Sequence, residues 1–386
     1  MTRNVPLYGS VQIPQNLEPI LATQTYARLR GISMDSIPAN WMEYFIASLE
    51  EHSLGTLHVG MQIILANTLP QRQQTDLLVS LLLHDAGNPC FHHLAEGFLK
   101  MKNGHNGESF LEVMLHRDPN LCRILEDLGV SVPLLLAMVT GRGKPFSDVL
   151  HGSLDADNLD NVVRYWCRMG GYPPPFPPLA IASALRYINR GEGCWVLRRS
   201  AVHYAQCWQA LRRILYRQFI YGEPHLASVM MLFRAVALAF YSGTLSDEFF
   251  FMDDAGAAEY LLAHNKESAR LVELAAKRIR YTLVCERQEL PGGVMERMCS
   301  LPDSRTYIAD HLVSELRCRA GDVATYIGKG RGHRHITLPV LEEDGQLAQF
   351  PNGEHKPWYR VKVYLHPEIA DVNKARVANV VDAMLR

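Results

Sequence analysis

The sequence has no CxxC pair among its eight cysteines, no unbroken run of about 20 apolar residues and no excess of charge of either sign. The cysteines, at Cys90, Cys122, Cys167, Cys194, Cys207, Cys285, Cys299 and Cys318, are scattered singly, which excludes a zinc ribbon or a CxxC redox centre and reads as free thiols. The longest apolar stretches, residues 77–83 and 228–241, are too short for a membrane span or are interrupted by Arg234, so no membrane partner is expected. The opening residues, MTRNVPLYGSVQIPQ, lack the basic start and apolar run of a secretory leader, and the expected compartment is the cytoplasm. A formal charge of -1 supplies no global field to recruit nucleic acid, which is not expected as a partner. With 48% hydrophobic and 20% charged residues, the 386-residue chain is globular rather than disordered or fibrous.

What is present is helical periodicity. From about residue 15 to 285, segments such as 41–51, 75–83, 109–115 and 200–216 place apolar residues three or four apart, while alternating Val/Ile runs are nearly absent. Breakers separate these segments at Gly87-Asn88-Pro89, at Lys102-Asn103-Gly104, at residues 141–145 and in the proline-rich stretch 170–178, which reads as a stiff surface loop. After about residue 291 the texture changes to a glycine-rich turn at 328–332, strands at 335–341 and 358–365, and a closing helix at 371–385. The expected fold is mainly α: a helical body over 1–285 and a small α+β region over 286–386.

Several of the 16 histidines fall beside carboxylates. His84-Asp85 ends the apolar run LLVSLLLHDAGNP, and two adjacent metal-competent side chains at a helix end can reach one ion. The alternative is a pair that caps the helix and bonds internally. Upstream, LEEHSLGTLHVG offers His52 and His58, but six residues of helix turn by about 600°, so the two face different ways and only one can join the site. His58, among Leu57, Val59 and Ile63, reads as a core histidine. Downstream, LDADNLDNVVRY offers Asp155, Asp157 and Asp160. Its apolar face, Leu159, Val162, Val163 and Trp166, takes in Asp155, while Asp157 lies nearly opposite.

In these residues the chain resembles the HD superfamily of metal-dependent phosphohydrolases, and in particular its deoxynucleotide triphosphohydrolase branch. TYARLRGI, EHSLG, LLLHDAGNPCFHH, GHNGESF and GSLDADNLDNVVRY follow in that branch's order over about residues 18–170, and RRSAVHYAQCWQALRRI and LSDEFFF extend the likeness more weakly towards 280. The resemblance implies a helical HD-domain bundle and one divalent metal ion (Mn, Fe, Zn, Co, Ni or Mg) held by His52, His84, Asp85 and Asp157. It lends catalytic roles to His93, which closes the HD-containing loop near the phosphates, and to His105, a proton donor. It also implies a small nucleotide or phosphoester as substrate and, by analogy, assembly as a homo-oligomer.

The sequence departs from that family's pattern where phosphate would be gripped. Asn88 stands in place of a second histidine, Leu49 in place of an arginine, and Asn158 and Asn161 in place of a basic residue and a tyrosine. Each missing charge-assisted contact is worth about 1.5–3 kcal/mol. Arg117, Arg142 and Lys144 are nearby cations that could replace them, Arg28 and Arg30 read as partners of acids in the helical core, and the basic segment 326–336 reads as an ordinary turn. Three functions fit: hydrolysis of a deoxynucleoside triphosphate to deoxynucleoside and triphosphate, phosphomonoester or phosphodiester cleavage of another small phosphoester, and a non-catalytic nucleotide sensor.

Overall fold

Ser48 starts the first long helix by accepting a hydrogen bond from the Glu51 amide, and Leu49–Leu65 follows with His52, Leu54, Leu57 and Ile63 buried. The helix Gln71–Leu83 packs against it where Gly60 leaves room for the Leu81 side chain that any Cβ would strike. Asn106 and Ser109 close a reciprocal cap at the start of Gly107–Arg117, and Asp155 caps Ala156–Arg168 through the Asn158 amide. Val202–Leu215 and His225–Tyr241 are further long helices of the body. These features belong to a computed structural model that describes residues 1–43, 47–171, 173–189, 193–301, 303–330, 332–354 and 357–386.

Helix dominates, with small sheets beside it: the fold is mainly α with a small α+β part. One apolar cluster joins Leu49–Leu65, Gln71–Leu83 and Ala156–Arg168, and a second surrounds His225–Tyr241. The third fills the C-terminal unit, an antiparallel sheet with Tyr359–Leu365 between Thr282–Glu289 and Val323–Lys329. Strand alternation places Val323 and Ile327 towards the third cluster, and Ala324 and Tyr326 towards the second. All eight cysteines are free. Among the described residues no single helix is long and apolar enough to cross a membrane.

Several expected boundaries shift. The helix placed at 41–51 begins at Leu49, Trp41 ends a short 3-10 turn, and residues 44–46 lie outside the described residues, as do Tyr172 of the proline-rich loop and Arg331 of the basic segment. An unforeseen hairpin, Leu185–Ile188 with Cys194–Arg198, sits inside the helical body. It pairs in parallel with Val340–Leu341, so chain from both sides of residue 285 shares one sheet, and Ile336, Val340 and Phe350 lie in the body's core. The strand expected at 335–341 shortens to Val340–Leu341 because the preceding backbone bonds to side chains instead of a ladder: the Ile336 amide to Asn352 Oδ1 at 2.8 Å and the Thr337 amide to Ser153 Oγ at 2.9 Å.

Candidate metal centre

His52 lies in the first turns of Leu49–Leu65, and His84-Asp85 follows directly where Gln71–Leu83 stops. Each imidazole has its tautomer set from behind. His84 Nδ1 is 2.9 Å from the Leu81 carbonyl, which can only accept, so that nitrogen carries the proton and Nε2 presents a lone pair. His52 Nδ1 is 2.7 Å from Asp160 Oδ2, and its Nε2 is likewise turned forward. The two Nε2 atoms meet at 3.3 Å. Asp85 Oδ2 lies 3.4 Å from His84 Nε2 and 3.6 Å from His52 Nε2, and Asp157 Oδ1 lies 3.0 Å from His52 Nε2.

Ligand atoms of His52, His84 and Asp85 all fall within 4.8 Å of one another, a group able to hold a metal ion, and Asp157 joins it through His52. The spacing fits: two nitrogens each about 2.1 Å from a common ion, roughly 100° apart, are separated by about 3.2 Å. The cleft also favours positive charge. Burial works against a charge on His52, but hydrogen bonds to Asp157 and Asp160 outweigh it and push the pKa up to about 10. Burial likewise opposes the charge of Asp157, yet the bond to His52 holds its carboxyl well below the usual range. Side-chain exposure rises from 2% at His52 to 30% at Asp157, so the centre opens on the Asp157 side.

Behind His52 lies a network that the choice of Asp157 from LDADNLD does not anticipate. Asp160, wholly buried, accepts from Arg164 Nε and Nη2 at 2.8 Å each, and Arg168 reaches Glu51 at 2.6 Å. The available signal was the i,i+4 pair Asp160 and Arg164, three residues past Asp157. Asp155 is buried as its periodicity requires, but it turns to Arg334 while Asp157 turns to His52. His58 is half-buried against the Tyr8 ring, and among the described residues its Nδ1 has no hydrogen-bond partner, so it is not the fully satisfied core histidine expected.

The loop after Asp85 carries His93. Asn88 Nδ2 donates to Asp85 Oδ1 at 2.7 Å. Phe91 and His92 then adopt φ of 57° and 48°, a region that side chains other than glycine seldom occupy. Asp254 clamps this turn, accepting from the Phe91 amide at 2.7 Å and the Ser33 amide at 2.9 Å. Arg28 ties the loop, through the carbonyls of Ala86 and Asn88, to the Met252 carbonyl, and among the described residues it pairs with no acid, while Arg30 pairs with Glu50 on the surface instead of in the core. His93 stacks on His92 and holds Glu96 Oε2 at 3.1 Å through Nδ1, while Glu96 Oε1 accepts from the Gly107 amide at 2.9 Å. The bond to Glu96 leaves the His93 pKa raised. His105 sits beside Phe110, and among the described residues nothing places it in contact with His52, His84, Asp85 or Asp157. Arg117 pairs with Glu248, Arg142 with Thr140 and Lys144 with Asp148.

Burial pushes Asp254 up to about 7 despite its two amide donors. A carboxyl whose folded pKa exceeds its unfolded value of about 4 stabilises the fold while protonated, so its contribution is full below about pH 4 and is lost as pH rises through about 7. Asp254→Asn does not titrate, and its NH2 faces one of the two amides, costing about 1–3 kcal/mol. Urea denaturation at pH 5 and pH 8 should therefore show the gap between wild type and variant narrowing at the higher pH. A gap independent of pH would contradict this account.

Searched against models of known protein families, the chain matches none. A solved structure does match: a hypothetical protein from Aquifex aeolicus superposes with a TM-score of 0.76 over 98% of this chain and 99% of its own, at 17% sequence identity. The two share a fold.

Proposed function

We propose that this chain is a metal-dependent phosphohydrolase of the HD superfamily that acts on a nucleotide, with His52, His84, Asp85 and Asp157 holding one divalent ion. The observation that carries the reading is the pair of buried imidazoles whose Nδ1 atoms are tied back, so that their Nε2 atoms converge at 3.3 Å beside two carboxylates. Two imidazoles and two carboxylates suit Mn, Fe, Zn, Co or Ni better than the oxygen-seeking Mg. A bound ion would polarise a phosphoryl oxygen and lower the pKa of water.

The protein's own groups do the rest. Glu96 takes the Nδ1 side of His93 and leaves Nε2 for proton transfer. With its raised pKa and 69% exposed side chain, His93 is suited to donate a proton to the leaving oxygen. His105 serves as a second proton donor only if substrate draws it towards the cleft. Asp160 and the Leu81 carbonyl hold the imidazoles in orientation throughout.

The resemblance favours a deoxynucleoside triphosphate, cleaved to deoxynucleoside and triphosphate. A second reading, a smaller phosphoester, rests on the substituted positions. Asn88 is spent on Asp85, Asn158 on Asp155 and Asp157, and Leu49 is fully buried, so none of the three supplies a cation to a phosphate chain.

The test is a panel of dNTPs, NTPs, nucleoside monophosphates, cyclic nucleotides and a generic phosphodiester, assayed with manganese, with His84→Ala and Asp85→Ala as controls. Triphosphate release lost in both variants supports the first reading. Orthophosphate release or diester cleavage lost in both supports the second. Metal binding without turnover of any substrate overturns the enzyme and leaves a sensor.

A further inference from the structure

We infer that Arg334, from the C-terminal part of the chain, is a positioning residue for the metal centre, acting through Asp155. The inference rests on the metal-binding reading above. Asp157 is the second residue of Ala156–Arg168, in the first helical turn, where backbone amides have no acceptor within the helix and a cap sets their place. That cap is Asp155, whose Oδ1 accepts from the Asn158 amide at 2.8 Å and from Asn158 Nδ2 at 2.9 Å. Asn158 Nδ2 also lies 3.3 Å from Asp157 Oδ2. The other oxygen of Asp155 faces Arg334 Nη2 at 2.8 Å, and the same nitrogen donates to the Gly152 carbonyl at 2.5 Å. One guanidinium thus ties the loop before the helix to its cap, and a short chain of bonds leads from there to Asp157 and His52.

The arrangement is a built one. Asp155 is wholly buried, and a buried carboxylate without a cation is strongly unfavourable. Arg334 is delivered by side chains that grip its backbone: Gln209 Nε2 donates to the Arg334 carbonyl at 2.8 Å and to Asn352 Oδ1 at 2.9 Å. Asn352 brackets Ile336, taking its amide at 2.8 Å and giving Nδ2 to its carbonyl at 2.7 Å. Ser153 Oγ takes the Thr337 amide. The helix Val202–Leu215 and residues 350–352 therefore hold Arg334 in place, and the basic segment is more than a surface turn.

In the full-length protein, Arg334→Met should weaken manganese binding 10- to 100-fold, the range for removing a group behind a metal ligand. Asp155→Asn/Arg334→Met should return it to within about threefold of wild type, because asparagine caps a helix as well as aspartate does and leaves no buried charge to compensate. Manganese is titrated by electron paramagnetic resonance, with thermal melts confirming that each variant is folded and His84→Ala as the control without a site. Wild-type affinity in Arg334→Met overturns the inference alone. Weak binding in Arg334→Met that the double variant does not repair also overturns it, since Arg334 would then act only by docking the C-terminal segment. If wild type binds no more manganese than His84→Ala, the metal centre itself is wrong and this inference falls with it.

Discussion

Adding manganese to a hundredfold excess over its Kd is expected to stabilise the wild-type fold by about 2.7 kcal/mol, and to do nothing for His84→Ala. The variant removes one of the two buried nitrogens that face each other at 3.3 Å, and the loss of affinity should exceed the 10- to 100-fold typical of removing a partner behind a ligand. His84 is the informative position because its back side is tied to a carbonyl of its own helix, and the carboxylate it faces, Asp85, keeps His52 at 3.6 Å and the Asn88 amide at 2.7 Å when the ring is removed. His52→Ala would strip Asp160 of a partner as well and confuse stability with binding. Metal-dependent melting, and with it the hydrolysis proposed above, should vanish in His84→Ala, while its metal-free melting temperature stays near that of the metal-free wild type. A manganese-dependent shift that survives in the variant would place the ion elsewhere.

The site and the fold differ in how far they can be read along the chain. His84-Asp85 stands out because two adjacent ligand-type side chains end a run of leucines, and nothing in helix packing calls for them there. The helical body is legible because long amphipathic periods repeat between clear breakers. The hairpin of Leu185–Ile188 and Cys194–Arg198 is not, since four or five residues are too few for alternation to declare itself and its third strand arrives from residue 340. Asp160 and Arg164 are hidden for a different reason. On a helix such a pair usually lies on the surface, and only the crossing with Leu49–Leu65 buries this one behind His52. Arg334 lies 179 residues from Asp155, and no local pattern announces that contact. Asp155 shows how two signals can both hold: periodicity marked a buried residue, and the helix start still directs its neighbour Asp157 to His52.

The buried network behind His52 sets up the second large effect. Replacing glycine by alanine in the interior of a helix ordinarily stabilises by about 1 kcal/mol. At Gly55 the sign should reverse, because a Cβ there would overlap Asp160 Oδ1 and Arg164 Nη2, and neither can withdraw. Asp160 is pinned between His52 and Arg164, and the Arg164 side chain is 2% exposed, its guanidinium fixed by two bonds to the same carboxylate. Overpacking of this kind costs about 1–3 kcal/mol. Arg164→Met should cost more, about 3–5 kcal/mol, because it leaves the Asp160 charge buried with only a histidine to answer it. Both variants should also weaken metal binding, since Asp160 can no longer hold the His52 ring with Nε2 forward. Chemical denaturation with and without manganese separates the two effects. If Gly55→Ala proves as stable as wild type, the helix Ala156–Arg168 can shift away from Leu49–Leu65, and the network is looser than its distances indicate. If it is destabilised and its metal affinity falls with it, the glycine is present so that a carboxylate can stand directly behind the first ligand.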